Sequence, residues 1–252
     1  MRIKASLTVV MLFSLIAGQV YAAETPPIVE TFACNLASGK DAKDIESATS
    51  FWRQQVEKLD NVDLNQYSAW SVFPVRSSLP ADFFWLGASP NMNVWARGAA
   101  AYAQSAEGAA AEAKFAKLGK CTSNVWSSEL LYGEAPSEEN ESGILEVFGC
   151  SLKKGKTMSN VRAVEANFTK AAKAAGIDMN VFRFSPVYTS GEADLLYFIG
   201  HDDIAAMGAT NTEIFTTDAT RTANQYFSLV MDCGGGVYSI DLIKAGSVAA
   251  SE

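Results

Sequence analysis

The single histidine of the chain, His201, stands directly before Asp202 and Asp203. An imidazole suits general-base work, or ligation of haem or a metal, near neutral pH. The adjoining carboxylates suit a divalent cation, although Asp202 also sits where a helix N-cap belongs. Arg183 lies between Phe182 and Phe184 in a strand-like run, so it is either on an exposed face or a buried anion-binding group. Ser127 and Glu129 share one strand face, as do Ser239 and Asp241. Glu129 and Asp241 are therefore a candidate acid/base pair, with two exposed edge carboxylates as the plain alternative. Trp70, Trp85 and Tyr197 are strand aromatics, a type that mostly fills cores but can floor a ligand site. The candidate catalytic residues are thus His201, Arg183, Glu129 and Asp241. No GxSxG, HExxH, CxxC, Walker loop or GxGxxG is present to choose among chemistries.

These residues are carried on a duplicated frame. Residues 30–40, ETFACNLASGK, return as residues 146–156, EVFGCSLKKGK, with six of eleven positions identical. They are Glu30/Glu146, Phe32/Phe148, Cys34/Cys150, Leu36/Leu152, Gly39/Gly155 and Lys40/Lys156. A repeat of this kind sets the fold before any single residue does. Each copy opens with a short strand in which Phe32, Cys34 and Leu36 share a face and Thr31, Ala33 and Asn35 share the other. A helix follows Asp41, with Ile45, Ala48, Trp52, Val56 and Leu59 at helical spacing, matched by Val161, Val164, Phe168, Ala172 and Ala175. Two strands joined as a hairpin come next, each copy carrying Pro-Val at residues 74–75 or 186–187. A long helical region over 91–118 answers one over 202–229, the latter expected to break near Thr210. A fourth strand closes each copy.

Residues 1–22 read as a secretory leader: Arg2 and Lys4, an apolar run, then Val20-Tyr21-Ala22 as the cleavage signal. The divisions expected are 1–22 leader, 23–132 first repeat, 133–143 acidic linker, 144–245 second repeat and 246–252 tail. Export is to the periplasm or extracellular space. The chain carries 20 basic and 28 acidic residues; without Arg2 and Lys4 the balance is 18 against 28, a net charge of −10. That balance argues against nucleic acid or anionic lipid as a partner, and no membrane attachment is expected after cleavage. Four cysteines in an oxidising compartment point to two disulfides. Each repeat holds one early and one late cysteine, so the economical pairing is Cys34–Cys121 and Cys150–Cys233. No metal site is expected, because no CxxC accompanies the lone histidine.

Each unit reads β-α-β-β-α-β, the ferredoxin-like arrangement, an α+β class. Two such units in one chain can bring their bare sheet faces together. In element order, duplication and strand patterning the sequence resembles the dimeric α/β-barrel superfamily in tandem, single-chain form. That resemblance implies a barrel-like pair and a kinship with cofactor-independent monooxygenases, haem proteins of the chlorite-dismutase type and small-molecule binders. If Cys34 faces the helices, Asn35 faces the other copy, as does Ser151 in the second repeat. The small residues on those faces suggest a cleft between the sheets, with Asn35, Ser151, Arg183, Ser127, Ser239 and Trp70 as candidate ligand contacts. The reading is an exported protein that binds a small, partly apolar molecule there without a cofactor. The alternatives are an oxygenase-like or haem-dependent enzyme, and a protein-interaction module.

Overall fold

A computed structural model describes residues 25–77, 81–134, 142–189, 191 and 193–247. The leader and residues 135–141 of the linker lie outside the described residues. The first repeat runs β1 (Ile28–Leu36), α1 (Ala42–Leu59), α2 (Val62–Asn65), β2 (Ser68–Arg76), β3 (Phe83–Ser89), α3 (Met92–Gln104), α4 (Ala106–Leu118) and β4 (Gly119–Tyr132). The second runs β5 (Ser142–Leu152), α5 (Met158–Ala175), β6 (Asn180–Tyr188), β7 (Leu195–His201), α6 (Ile204–Thr216), α7 (Asp218–Phe227) and β8 (Met231–Lys244).

Local chemistry explains the boundaries. Gly39 and Gly155 both take φ +80°, the left-handed turn that leads each first strand to its helix. Asp41 caps α1 by accepting from the Lys43 and Asp44 amides, and Asp44 completes a capping box. Asp82 and Asp194 occupy matched positions and accept from the Leu36 and Leu152 amides, each at 2.7 Å, clamping the ends of β1 and β5. Pro74 and Pro186 lie inside β2 and β6, each just before a register shift, where a missing ladder donor is tolerated.

The long helical regions are each two helices. Ser105 breaks the first: its hydroxyl donates to the Tyr102 carbonyl and accepts from the Gly108 amide. The second breaks at Thr217, not near Thr210. Thr210 stays inside α6 because its hydroxyl donates to the Asp178 carbonyl, so it does not compete with the helix backbone.

The eight strands close into an antiparallel barrel in the order β1-β3-β2-β8-β5-β7-β6-β4. Each repeat supplies four neighbouring strands, and the halves join where β2 pairs β8 and β4 pairs β6. Closure leaves no exposed sheet edge. The helices lie outside. Both disulfides form as the repeat implied, Cys34–Cys121 and Cys150–Cys233, each between directly opposed residues of paired strands. Two disulfides suggest an oxidising compartment. Among the described residues, no helix is long and apolar enough to cross a membrane.

Strand parity sorts the faces as expected: Cys34 packs with Ile45, Ala48 and Leu118 under the helices, while Thr31 and Val147 face the barrel interior. The expected cleft between the sheets is not there. Val29, Trp126, Phe184 and Phe198 fill the interior, with Leu86, Leu145, Phe182 and Leu196 around them. The Trp126 indole reaches over to donate to the Thr31 hydroxyl at 3.0 Å. Only about 40 Å³ remains beside Thr31, Val72 and Phe84. Small residues on β1 and β5 are compensated by large ones on β3, β4, β6 and β7, which no single strand reveals.

Candidate functional site

The large cavity is on the other side of the sheet. About 660 Å³ opens between the first repeat's strands and helices α1, α3 and α4, within the range of small-molecule sites. Glu30, Phe32 and Cys34 of β1 and Phe83, Trp85 and Ser89 of β3 form its floor. Trp52 of α1, Leu64 of α2, and Val94, Trp95, Tyr102 and Phe115 of α3 and α4 wall it. Gly98, Ala99, Ala103, Gly108 and Ala109 face it too; their small side chains leave the space open.

At one end stands a polar chain in an apolar setting. Trp85 Nε1 donates to the Tyr67 hydroxyl at 3.1 Å, and Tyr67 donates to Glu30 Oε2 at 3.1 Å. Trp95 Nε1 is buried and closes no well-formed hydrogen bond among the described residues, yet lies near enough for its N–H to favour the Glu30 carboxylate. Burial dominates, and raises the Glu30 pKa above the usual glutamate value. Burial, and then the charge of Glu30, push Tyr67 well above the usual tyrosine range. At the rim, Arg97 grips Asp63 through two bonds of 2.9 and 2.6 Å, and Tyr102 donates to Glu112 at 3.0 Å. Hydrogen bonding to Arg97 holds Asp63 below its usual range.

Gly87 makes the arrangement possible. A Cβ there would lie 1.6 Å from the Tyr67 hydroxyl oxygen. In the second repeat the same register position, opposite the repeated glutamate, is Ile199, and Tyr67 is replaced by Met179. Phe168, Ala172, Met179, Val181 and Ile214 pack solidly on that side. The two repeats thus share a scaffold, but the first opens a cavity where the corresponding side of the second is packed.

The residues singled out in the sequence are scattered. Arg183 is 3 % exposed, under the helices of the second repeat, where it pairs with Glu165 of α5 and with Glu129. Tyr197 donates to the other Glu165 oxygen at 2.7 Å. Arg183 therefore has its charge balanced by two carboxylates. Glu129 and Asp241 do not meet: β4 borders β1 and β6, whereas β8 borders β2 and β5. Ser127 sits beside Ser185, and Ser239 beside Phe73 and Ile144. Asn35 and Ser151 are exposed at strand ends, and Trp70 lies opposite Leu86 and Leu242. His201, Asp202 and Asp203 diverge. His201 Nε2 lies 3.0 Å from Glu146, whose other oxygen accepts from Asn211, and Asp203, not Asp202, caps α6. Of the residues singled out in the sequence, Trp85 lines the cavity, and none of the others named here does. Its key group, Glu30, did leave a trace: it is repeated, and shares strand parity with Phe32 and Cys34, so an acid stood on a face due to be buried.

No family model matches the sequence, and no curated protein matches it. Solved structures do match in shape. A provisionally assigned monooxygenase from Lactobacillus acidophilus superposes with TM-score 0.57 at 8 % identity, over 90 % of this chain and 100 % of its own. A mutant chlorite dismutase from Candidatus Nitrospira defluvii gives 0.52 at 9 % identity, over 87 % and 93 %. A haem-binding protein from Thermus thermophilus gives 0.50 at 9 %, over 86 % and 91 %. The fold is a dimeric α+β barrel. At such identities the likeness extends to the fold alone.

The cavity's own donors do not fit haem. An axial ligand would be an imidazole, a thiolate, a thioether or a phenolate. Among the described residues the lining holds no histidine or methionine, and its cysteines are bonded to each other. Tyr67 and Tyr102 are both pushed away from the phenolate form. His201 belongs to the other repeat. Carboxylates, rather than basic groups, would face the propionates.

A pH prediction follows from Glu30. Its folded-state pKa is raised, so between the ordinary value and the raised one the native state holds a proton that the unfolded state has lost. Stability from this group is complete below the unfolded pKa and is lost as pH rises through the folded pKa. Glu30→Gln should therefore raise the thermal midpoint at pH 8 relative to wild type, with the gap closing towards pH 4. A gap of constant size across that range would show that Glu30 does not titrate this way.

Proposed function

We propose that the chain is an exported binding protein for a small, largely apolar molecule, held beneath the helices of its first repeat. One observation carries the reading. Two copies of one scaffold differ in that the second fills its helix-side core, while the first keeps about 660 Å³ walled by aromatic rings, with one buried polar cluster to orient a guest. Open volume of this size forgoes packing that the second copy achieves, which is a cost a purely structural domain has no reason to carry. The leader and the disulfides support export to the periplasm or extracellular space.

The second repeat supplies the test. Tyr67→Met with Gly87→Ile copies its filling into the first. Gly87→Ile alone would overlap Tyr67, so the two changes go together. The double variant should fold and lose quenching of tryptophan fluorescence by an apolar aromatic probe that wild type binds. Affinity unchanged from wild type in a folded double variant would remove the Glu30 end of this cavity from consideration.

A second reading has one observation in its favour. A carboxyl raised by burial beside a phenol, in an apolar pocket, is the state a general base needs to act on a weakly acidic substrate. This fits a cofactor-independent oxygenase in which Glu30 deprotonates the substrate. Turnover abolished by Glu30→Gln, with binding retained, would favour it over simple binding.

A further inference from the structure

This inference rests on the binding reading above and names the class of molecule bound. Three carboxylates line the cavity, Glu30, Asp63 and Glu112, and among the described residues no lysine, arginine or histidine lines it. Asp63 has Arg97 as its partner, and Glu112 stands on the exposed rim. Glu30 is the inner one. The side chains that act on it are Tyr67 and Trp95, both neutral donors.

The second repeat shows how the fold treats this carboxylate when no cavity surrounds it. Glu146 is held by His201 and Asn211, each at 3.0 Å. At the register position of His201 the first repeat has Ser89, and the space between is cavity. The first repeat thus keeps the acid and omits the base. It sets neutral donors on the acid instead, the Tyr67 hydroxyl and the Trp95 N–H, inside a wall of further aromatic rings. Indole and phenol faces attract cations, most strongly when water is excluded. A half-buried carboxylate without a countercharge gains more from an incoming cation than any exposed one does. An anion would meet three carboxylates.

We propose that the cavity takes a monovalent organic cation, a protonated or quaternary amine on a ring-sized apolar body. The charged head lies against Glu30, and the body lies among Phe32, Trp52 and Phe115.

The test is a tryptophan-fluorescence titration of the full mature chain with two molecules of nearly equal shape, benzyltrimethylammonium and neutral neopentylbenzene. Wild type should prefer the cation by roughly tenfold or more, and Glu30→Gln should bring the two affinities together. If that variant does not fold, the wild-type pH profile serves instead. The preference should fall as pH drops through the Glu30 pKa, because a neutral carboxyl no longer attracts the head. The other titratable groups facing the cavity do not mimic this. Tyr67 and Tyr102 stay protonated throughout, Asp63 is held low by Arg97, and the rim carboxylate Glu112 is removed as a contributor by running the profile in Glu112→Gln. Equal affinities in wild type would overturn the cation and leave the binding reading standing. So would a preference that survives Glu30→Gln, or one that does not change with pH. Binding of neither molecule would overturn both.

Discussion

Replacing Cys34 and Cys121 together by alanine should destabilise the protein by about 4 to 5 kcal/mol. The cross-link joins residues 87 positions apart, so in the unfolded chain it closes a long loop. Released from it, the unfolded state gains conformations, while β1 and β4 remain hydrogen-bonded in the fold. Cys34 is also 2 % exposed in a cluster with Ile45, Ala48, Phe83 and Leu118, so alanine removes some packing as well. The same change at Cys150 and Cys233 should cost nearly as much, since that loop spans 83 positions. Urea unfolding of the oxidised protein and of each double variant measures this. A loss below about 1 kcal/mol would mean that the unfolded chain is already restrained by residual structure.

Arg183→Met should cost about 3 to 5 kcal/mol, because it strands a buried charge. Glu165 is 6 % exposed on its side chain and sits beside an apolar cluster of Val161, Val164, Leu195 and Met231. Without the guanidinium it keeps only the Tyr197 hydroxyl of its two observed partners. Glu129 matters little here, since it is 61 % exposed and water replaces its partner. Burial already raises the Glu165 pKa despite Arg183. Removing the arginine raises it further, so the penalty should be full at neutral pH and shrink as pH falls and the carboxyl takes up its proton. Arg183→Met with Glu165→Leu should recover most of the loss. A single variant as stable as wild type at pH 7 would show that Glu165 reaches water or another partner once the arginine is gone.

These two effects contrast in how they could be read. The disulfide pairing follows from the two cysteines held at matching places in each repeat. Arg183 announced itself as a charged residue between phenylalanines, but its partners did not. Glu165 comes from α5, on the helical stripe otherwise given by Val161, Val164 and Phe168, and only the packing of that helix on β6 and β7 brings the two together. The expected pairing of Glu129 with Asp241 failed for a related reason. Matched positions in two repeats are related by the pseudo-symmetry of the barrel, which separates them instead of placing them in contact.

The candidate site was legible only in fragments. Glu30 stands in the repeated segment and Gly98, Ala99 and Ala103 in the 91–118 region, and nothing along the chain connects them. What joins them is Gly87, whose missing side chain admits the Tyr67 ring to the face where Glu30 lies. A glycine inside a strand gives no sign of this role until the ring that crosses it is located.

The sequence by itself determined the duplication, the α+β class, the strand parity and the disulfides, because each depends on periodicity or on equivalence between copies along the chain. Only the tertiary structure decided which face holds the cavity. Free volume is the difference between large and small side chains that meet from distant strands and helices. Trp126, Phe184 and Phe198 cancel the small residues inside the barrel, whereas under the helices of the first repeat Trp52, Trp85, Trp95 and Phe115 wall the space left by Gly98, Ala99 and Ala103 without filling it.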